Sequence, residues 1–299
     1  NTSNMIIFYV FIIGQSPCSE YQDDEVPVLL LHGVYGQKSN FDSFVEAMKL
    51  DYPNRKIEAI EVMMGAFFSY NSPASRHVRA AATSIKQASN SKCVDLISHS
   101  QGSFLARNYI QTYNGIGEFP YVRNFYSLAG VLNGLFCDVE NDKTCTGYTA
   151  DMINNKFYSK RGKYRFVPAG YIRDTINYKK YQNYNNTICQ LNLECVSNKT
   201  LPFSQLTKFY AIYTNLDEAI RPVTASKMET LKAGSYSIQQ LEDQEIYEKL
   251  GIKQLFEEGR FIRCQFDDQG YNHNIFKKST FYKDYFYQIL KGVHLDQCQ

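Results

Sequence analysis

Short apolar runs alternate with amphipathic segments along most of this chain. Each run has the length of a buried strand, and most contain few polar residues, as is typical of strands covered on both faces. The runs are residues 26–31, 57–62, 93–97, 125–128, 209–213 and 261–266. Residues 41–50, 75–88 and 281–290 between and after them are predicted helices, the second with Val78, Ala81, Ala82 and Ile85 on one face. The alternation predicts a mostly parallel central sheet with helices on both faces.

Length and composition indicate a compact globular protein. The chain has 299 residues, of which 44% are hydrophobic, which suffices for one large core, and we expect a single domain over residues 18–299. The net charge is +2, and no basic run has interleaved aromatic residues, so nucleic acid is not an expected partner. No group of cysteines and histidines has zinc-site spacing, so we expect no metal.

Residues 93–97 lead into a turn, SHSQG at residues 98–102, that has the pattern of a nucleophile elbow. A tight turn from strand to helix lifts one serine hydroxyl above the sheet edge, which makes Ser100 the candidate nucleophile. The usual pattern has glycine two residues before and two after the serine. Here Gly102 is kept and Ser98 stands at the first position. The alternative is an ordinary strand-to-helix turn. Whether the chain also contains a suitable acid and base decides between the two interpretations.

A second loop fits the same class of site. The run 26–31 ends in His32-Gly33, ahead of the predicted helix 41–50. In serine hydrolases with an elbow, the loop after such an early strand supplies one backbone N–H of the oxyanion hole. The residue after the nucleophile supplies the other. We therefore assign the two donors to Val34 and Gln101; a turn capped by the histidine is the simpler alternative.

The base and the acid are expected after the serine, in the order Ser, Asp, His. Of the five histidines, His273 alone lies in a loop between a late predicted strand and the last predicted helix. Asp217 is the first carboxylate after the strand 209–213, and its neighbour Glu218 is the competing candidate. Asp267 and Asp268 are expected to be solvated loop charges. The sequence thus predicts a triad of Ser100, Asp217 and His273.

Beyond these residues, the chain resembles the palmitoyl-protein thioesterase family over nearly its whole length. The matching segments are Ser100-Gln101-Gly102, DEAIRP at 217–222, LGIK at 250–253 with Gly259, Gly134-Leu135 before Cys137 and Cys145, and AGYIRD at 169–174. The resemblance implies an α/β-hydrolase fold, the triad and oxyanion donors named above, and a disulfide between Cys137 and Cys145. His99 and Ser103 depart from the family pattern.

The resemblance also implies a function. We expect hydrolysis of the thioester of S-acylated, typically palmitoylated, cysteine in proteins or peptides through an acyl-enzyme on Ser100, with release of a long-chain fatty acid and without a cofactor. Fatty acyl thioesters in general are expected partners. Two alternatives are a lipase or phospholipase acting on carboxylic esters, and a non-catalytic lipid-binding relative.

Residues 137–205 show a looser pattern, which we interpret as a helical and loop insertion that caps the active site. Lysine, asparagine and tyrosine cluster there. The apolar residues of this segment either line an acyl groove or pack against the core. The four concerned are Phe157, Phe166, Val167 and Ile172.

The first residues suggest a cellular location. Residues 5–13 are apolar and too few to span a bilayer, so residues 1–17 are predicted to be a signal peptide and the mature chain to lack a transmembrane span. A buried first strand is the alternative. Eight cysteines and the glycosylation sequons at Asn185 and Asn198 favour the secretory pathway, with the lysosome or secretion as destination. Cys189 and Cys195 are a second candidate pair, and Cys93 is expected to be a buried free thiol.

Overall fold

The centre of the molecule is a six-stranded sheet in which every neighbouring pair of strands is parallel. The structure, a computed structural model, describes residues 16–138, 140, 145, 147–154, 157, 159–196, 201–267 and 270–299. The sheet order is β2-β1-β3-β4-β5-β8, and β6 and β7 form a separate two-stranded antiparallel ribbon. The strands are β1 Val28–Leu31, β2 Ile57–Ile60, β3 Cys93–His99, β4 Tyr121–Leu128, β5 Lys208–Tyr213, β6 Thr230–Leu231, β7 Ile238–Gln239 and β8 Phe261–Gln265.

Helices cover both faces of this sheet. They are α1 Asp42–Asp51, α2 Ala66–Tyr70, α3 Ala74–Ser89, α4 Gln101–Thr112, α5 Gly147–Asn154, α6 Lys160–Lys163, α7 Tyr178–Tyr184, α8 Thr187–Leu191, α9 Glu245–Lys249, α10 Ile252–Glu257, α11 Ser279–Phe281 and α12 Tyr287–Leu290. A π-helical turn, Tyr282–Phe286, joins the last two, and a one-turn 3-10 helix, Ile275–Lys277, precedes them. The predicted α/β-hydrolase architecture is confirmed.

All six predicted strands are present, although their ends differ from the apolar runs. β4 begins at Tyr121, four residues ahead of its apolar run. The run misses these residues because one of them, the charged Arg123, is buried within the strand. Its guanidinium donates to Asp95 of β3 at 2.7 and 3.1 Å. Asp95 also accepts from Arg55 at 2.5 Å, so paired charges occupy positions that hydrophobicity alone assigns to solvent.

Successive side chains along a strand point into two different hydrophobic cores, one on each face of the sheet, as the pleat requires. In β1, Leu29 and Leu31 face the core beneath α3 and α4, whereas Val28 and Leu30 face the core beneath α1 and the C-terminal helices. Nearly every residue of α4 is buried, which fixes this helix firmly against the sheet. The start of α4 is therefore a rigid position for catalytic groups.

Residues 137–205 contribute α5 to α8 and share the first of these cores. Phe157, Val167 and Ile172 are all 1% exposed or less, and Phe166 is half-buried against them. The rings of Phe157 and Phe166 contact each other, with centroids 5.4 Å apart. Of the two roles considered for these side chains, the structure supports packing against the core.

Eight cysteines form four disulfides. Cys137 bonds Cys145, Cys189 bonds Cys195, and Cys264 bonds Cys298. The expectation that Cys93 is a free thiol is wrong, because Cys18 bonds it across 75 residues and ties the first described segment to β3. Spacing along the chain carries no signal for such a remote pair.

Two predictions about processing fall partly on residues that are not described. The proposed signal peptide lies almost entirely in residues 1–15, and Asn198 lies in 197–200, both outside the described residues. Asn185 is described: it is exposed and ends α7 in a left-handed conformation. Among the helices of the described ranges, none combines the length and apolar character needed to cross a membrane.

Candidate active site

Ser100 occupies the turn between β3 and α4 in a conformation that few non-glycine residues adopt. Its φ is 56° and its ψ is −123°. The backbone holds it there: the Ser100 N–H donates to the Leu128 carbonyl at 3.0 Å, and its own carbonyl accepts from Ser103 and Val131 at 3.0 and 3.1 Å. Such strain persists only where surrounding contacts enforce it, and it is typical of catalytic turns.

Close approach of α4 to β1 explains the glycine of the SHSQG turn. A Cβ at Gly102 would lie 2.4 Å from the Leu31 carbonyl oxygen and 2.9 Å from that of His32, so no larger residue fits without movement of a strand. Ser98 is tolerated two residues before the nucleophile because its hydroxyl is buried against that of Ser103, with the two oxygens 2.9 Å apart.

His273 and Asp217 form a buried hydrogen-bonded pair. The Nδ1 of His273 lies 2.8 Å from Oδ2 of Asp217, and the other carboxylate oxygen accepts the N–H groups of Ala219 and Ile220 at 2.7 and 2.9 Å. Asp217 is 1% exposed, whereas Glu218 is exposed and makes no such bond with the imidazole. Of the two candidate acids, the structure therefore places Asp217 beside the histidine. The bond at Nδ1 leaves Nε2 as the ring nitrogen that is able to accept a proton.

Ser100 and His273 meet in one cavity of about 280 Å³. The cavity lies at the carboxyl ends of the strands, where ligands bind in open α/β sheets. Its lining comes from four loops: the loop after β1, the elbow, the loop after β5 that carries Asp217, and the loop after β8 that carries His273. The lining residues are His32, Gly33, Val34, Tyr35, Gly36, Asn40, Phe41, His99, Ser100, Glu218, Ala219, His273, Asn274 and Lys277.

The two candidate oxyanion donors belong to the loop after β1 and to the start of α4. Val34 lines the cavity, and Gln101 is the first residue of the 12-residue helix α4, where backbone N–H groups and the helix dipole favour negative charge. The Gln101 side chain is directed away from this role, because it donates to the Ser69 carbonyl at 2.8 Å and accepts from Tyr171 at 3.0 Å. The Tyr35 N–H donates to the Ser69 hydroxyl at 2.7 Å, which ties the loop that carries Val34 to α2.

His99, the residue before Ser100, contacts His273, which the sequence did not predict. Its Nε2 lies 2.7 Å from the backbone carbonyl of His273, and the two rings are 4.7 Å apart. Since a carbonyl only accepts, Nε2 of His99 carries the hydrogen. Burial is the largest cause that holds the pKa of His99 well below its usual value near 6.5, and the charges of His273 and Lys277 add to it. His99 is therefore a neutral support for the loop of His273.

Two of the other histidines contact structural groups, although His32 also lines the cavity. His32 lies 2.9 Å from the Gly33 carbonyl through Nδ1 and 2.8 Å from Glu61 through Nε2, which brackets the loop after β1. His77 is fully buried in α3, and burial lowers its pKa to about 3. Within the described residues, no group of three or more His, Cys, Asp or Glu has the arrangement of a metal site.

Comparison with known proteins adds an independent line of evidence. A family model described as palmitoyl protein thioesterase matches residues 27–270. Lysosomal thioesterase PPT2-B of Xenopus laevis is 25% identical over 234 residues, covering 75% of this chain and 77% of the relative. Palmitoyl-protein thioesterase 3 of Dictyostelium discoideum is 24% identical over 243 residues, covering 79% and 82%.

Solved structures with a similar fold were also found. The lin2722 gene product of Listeria innocua matches with a TM-score of 0.49 at 15% identity, covering 91% of this chain and 96% of that one. A lipase-esterase related protein of Clostridium acetobutylicum matches with a TM-score of 0.48 at 14% identity, covering 89% and 94%.

Proposed function

This chain belongs to the palmitoyl protein thioesterase family, and we therefore propose that it hydrolyses the thioester of S-acylated cysteine through an acyl-enzyme on Ser100. The observation that carries this proposal is the convergence of three groups that are remote in the sequence. Ser100 stands in a strained turn, His273 shares its cavity, and Asp217 binds the far side of the imidazole at 2.8 Å. This is the arrangement that a serine nucleophile needs at neutral pH.

Acylation begins when Ser100 Oγ attacks the carbonyl carbon of the thioester and passes its proton to Nε2 of His273. Asp217 holds the ring through Nδ1 and stabilises the imidazolium that forms. The backbone N–H groups of Val34 and Gln101 stabilise the oxyanion of the tetrahedral intermediate. The C–S bond then breaks, and the thiolate takes the proton back from His273.

Deacylation repeats these steps with water as the nucleophile. His273 takes a proton from the water that attacks the acyl-serine, and the fatty acid leaves as Ser100 regains its proton. A thiol has a pKa near ~8.5, so a thiolate departs with less help from protonation than an alkoxide needs. A thioester therefore depends less on protonation of the leaving group by His273 than the matched oxygen ester does.

We also propose that the mature protein works in the secretory pathway, in the lysosome or outside the cell. Four disulfides require an oxidising route, and the exposed Asn185 is sterically open to glycosylation. Retention of a fluorescent fusion of the full-length protein in the cytosol would contradict this part of the proposal.

The function is tested by comparing a palmitoyl thioester with the oxygen ester of the same acyl chain and leaving-group skeleton. We expect kcat/KM for the thioester to exceed that for the oxygen ester by more than about tenfold. Ser100→Ala should lower kcat by at least about a thousandfold without loss of folded structure. Ser237→Ala, at an exposed serine outside the cavity, is the matched control.

Three results would contradict the proposal. Faster hydrolysis of the oxygen ester would favour the lipase alternative. More than a few percent of residual activity in Ser100→Ala would exclude Ser100 as the nucleophile. A wild-type protein that neither hydrolyses the thioester nor reacts with a fluorophosphonate probe would be a non-catalytic lipid-binding relative.

A further inference from the structure

Lys277 places an ammonium group in the wall of the catalytic cavity. It ends the 3-10 helix Ile275–Lys277, in the loop region that follows His273, and its side chain is half-buried. It lines the same cavity as Ser100 and His273, and its Nζ donates to Oδ1 of Asn274 at 2.7 Å. The proposed mechanism makes no use of this charge.

The charge of Lys277 lacks a carboxylate partner among the residues that the structure describes. Burial lowers the pKa of Lys277 below its ordinary value near 10.5, and repulsion from the neighbouring Lys278 acts in the same direction. The charge of the same ammonium also helps to lower the pKa of His99, whose ring contacts His273. A half-buried cation held by a neutral amide oxygen is a site where a bound anion gains a charge-assisted hydrogen bond.

The position of Lys277 identifies the part of the substrate that it meets. In the proposed reaction His273 returns its proton to the leaving sulfur, so the thiol part of the substrate lies on the side of His273. The acyl carbonyl oxygen points to the backbone N–H groups of Val34 and Gln101, which belong to other segments, the loop after β1 and the start of α4. Lys277 and Asn274 belong to the segment that carries His273 and line the same cavity, so we infer that they lie beside the thiol part.

We propose, on the basis of the function above, that Lys277 binds the α-carboxylate of the substrate's cysteine. Thioesters of cysteine with a free carboxylate, as at the C-terminus of a peptide, are then hydrolysed in preference to cysteine inside a chain. Peptide-bond hydrolysis directly after the acylated cysteine is the class of reaction that supplies such a substrate. Coenzyme A thioesters also carry anions on the thiol side, but the whole pantetheine arm separates their phosphates from the sulfur, whereas only two carbons separate the sulfur of cysteine from its carboxylate.

Three thioesters with the same octanoyl chain separate these sources of negative charge. They are N-acetyl-S-octanoylcysteine, its C-terminal amide, and octanoyl coenzyme A. Each is assayed for kcat/KM with the wild type, Lys277→Gln and Lys277→Arg. Lys278→Gln is the matched control, because Lys278 is the next residue, is exposed and does not line the cavity.

We expect the wild type to prefer the free carboxylate over the amide by about tenfold, the usual size of a charge-assisted hydrogen bond. Lys277→Gln should bring this ratio close to one, and Lys277→Arg should retain most of it because the positive charge remains. Lys278→Gln should keep the wild-type ratio. Octanoyl coenzyme A should respond less to Lys277→Gln than the free carboxylate does.

Other outcomes overturn this assignment. A ratio that Lys277→Gln leaves unchanged would exclude contact with the carboxylate, and an equal loss for all three substrates would make Lys277 a structural residue. A loss confined to octanoyl coenzyme A would assign the site to phosphate. Hydrolysis of none of these thioesters by the wild type would overturn the proposed function and this inference with it, whereas an unaltered ratio alone overturns only the inference.

Discussion

At the scale of single residues, the catalytic turn depends on positions where the backbone of one element nearly touches another. Gly102 brings the first turn of α4 against the end of β1, and a Cβ at Gly33 would lie 2.9 Å from Cβ of Ser100. The loop of Val34 can thus approach Ser100 this closely because Gly33 and Gly102 have no side chains. Their separation is set by backbone contact, which a side-chain rotamer change cannot relax.

Substitution of Gly102 tests this close contact. Gly102→Ala places a methyl group 2.4 Å from the Leu31 carbonyl oxygen, so β1 and α4 must separate. We expect the free energy of unfolding to fall by about 1–3 kcal/mol. The loss in kcat/KM should be larger than this destabilisation explains, because the proposed oxyanion donors, Val34 and Gln101, move apart. Urea denaturation and thioester kinetics measure the two effects.

Ser98→Gly is the control for that substitution, because it removes a side chain at the other flank of the turn. It loses the contact between the hydroxyls of Ser98 and Ser103 and should cost about 1 kcal/mol or less. A Gly102→Ala variant as stable and active as Ser98→Gly would show that the contact between β1 and α4 is not required.

Sequence reasoning at this scale predicted the residues that lie in the motifs. Ser100 follows from the turn pattern, and His273 follows from the order of the chain. Asp217 was predicted ahead of Glu218 as the first carboxylate after its strand, and the coordinates agree because the backbone directs Asp217 to the imidazole and leaves Glu218 exposed. The support from His99 and the cation of Lys277 depend on how separate loops meet, for which no local pattern exists.

At the scale of elements, α3 carries a buried histidine whose protonation opposes folding. His77 is fully buried, its Nδ1 lies 3.4 Å from the sulfur of Met63, and its Nε2 has no hydrogen-bond partner among the described residues. Burial, followed by the charge of His32, lowers its pKa to about 3. The unfolded chain, with a histidine pKa near ~6.5, therefore takes up the proton first as the pH falls.

The stability contributed by the neutral His77 is complete above about pH 6.5 and is lost as the pH falls toward about 3. His77→Leu removes this term, so the variant should lose about 2 kcal/mol less than the wild type between about pH 8 and about pH 5. Urea denaturation at both pH values measures the difference. Wild-type pH dependence in His77→Leu would contradict a neutral buried ring; His294→Gln, at an exposed position, is the control.

Strands and helices of this fold were largely predictable, and their ends were not. Strands of a parallel sheet are buried on both faces, so their apolar runs stand out from the chain. The first residues of β4 do not stand out in the sequence, because the strand buries the charged Arg123 in an ion pair with Asp95. The last predicted helix spans α11 to α12 but passes through a π-helical turn, a local irregularity that the aromatic pattern of 281–290 does not reveal.

At the scale of the whole molecule, the sheet brings together residues that are more than 170 positions apart. The carboxyl ends of β1, β3, β5 and β8 lie at one edge, which is why the loops after them share a cavity. The order of strands in a parallel sheet makes this convergence predictable once the elbow is identified. The disulfide of Cys18 and Cys93, which closes a long loop of the unfolded chain, was not predictable from spacing and adds about 4 kcal/mol by loop entropy.

Mapping of the acyl-enzyme tests the central claim most directly. The protein is mixed with a palmitoyl thioester, quenched in acid within the first turnover, reduced and digested with trypsin for mass spectrometry. We expect a palmitoyl adduct on the fragment 93–107, on Ser100 and not on Ser98 or Ser103, and its absence in Ser100→Ala. An adduct on any other residue, or continued turnover by Ser100→Ala, would contradict the proposed mechanism.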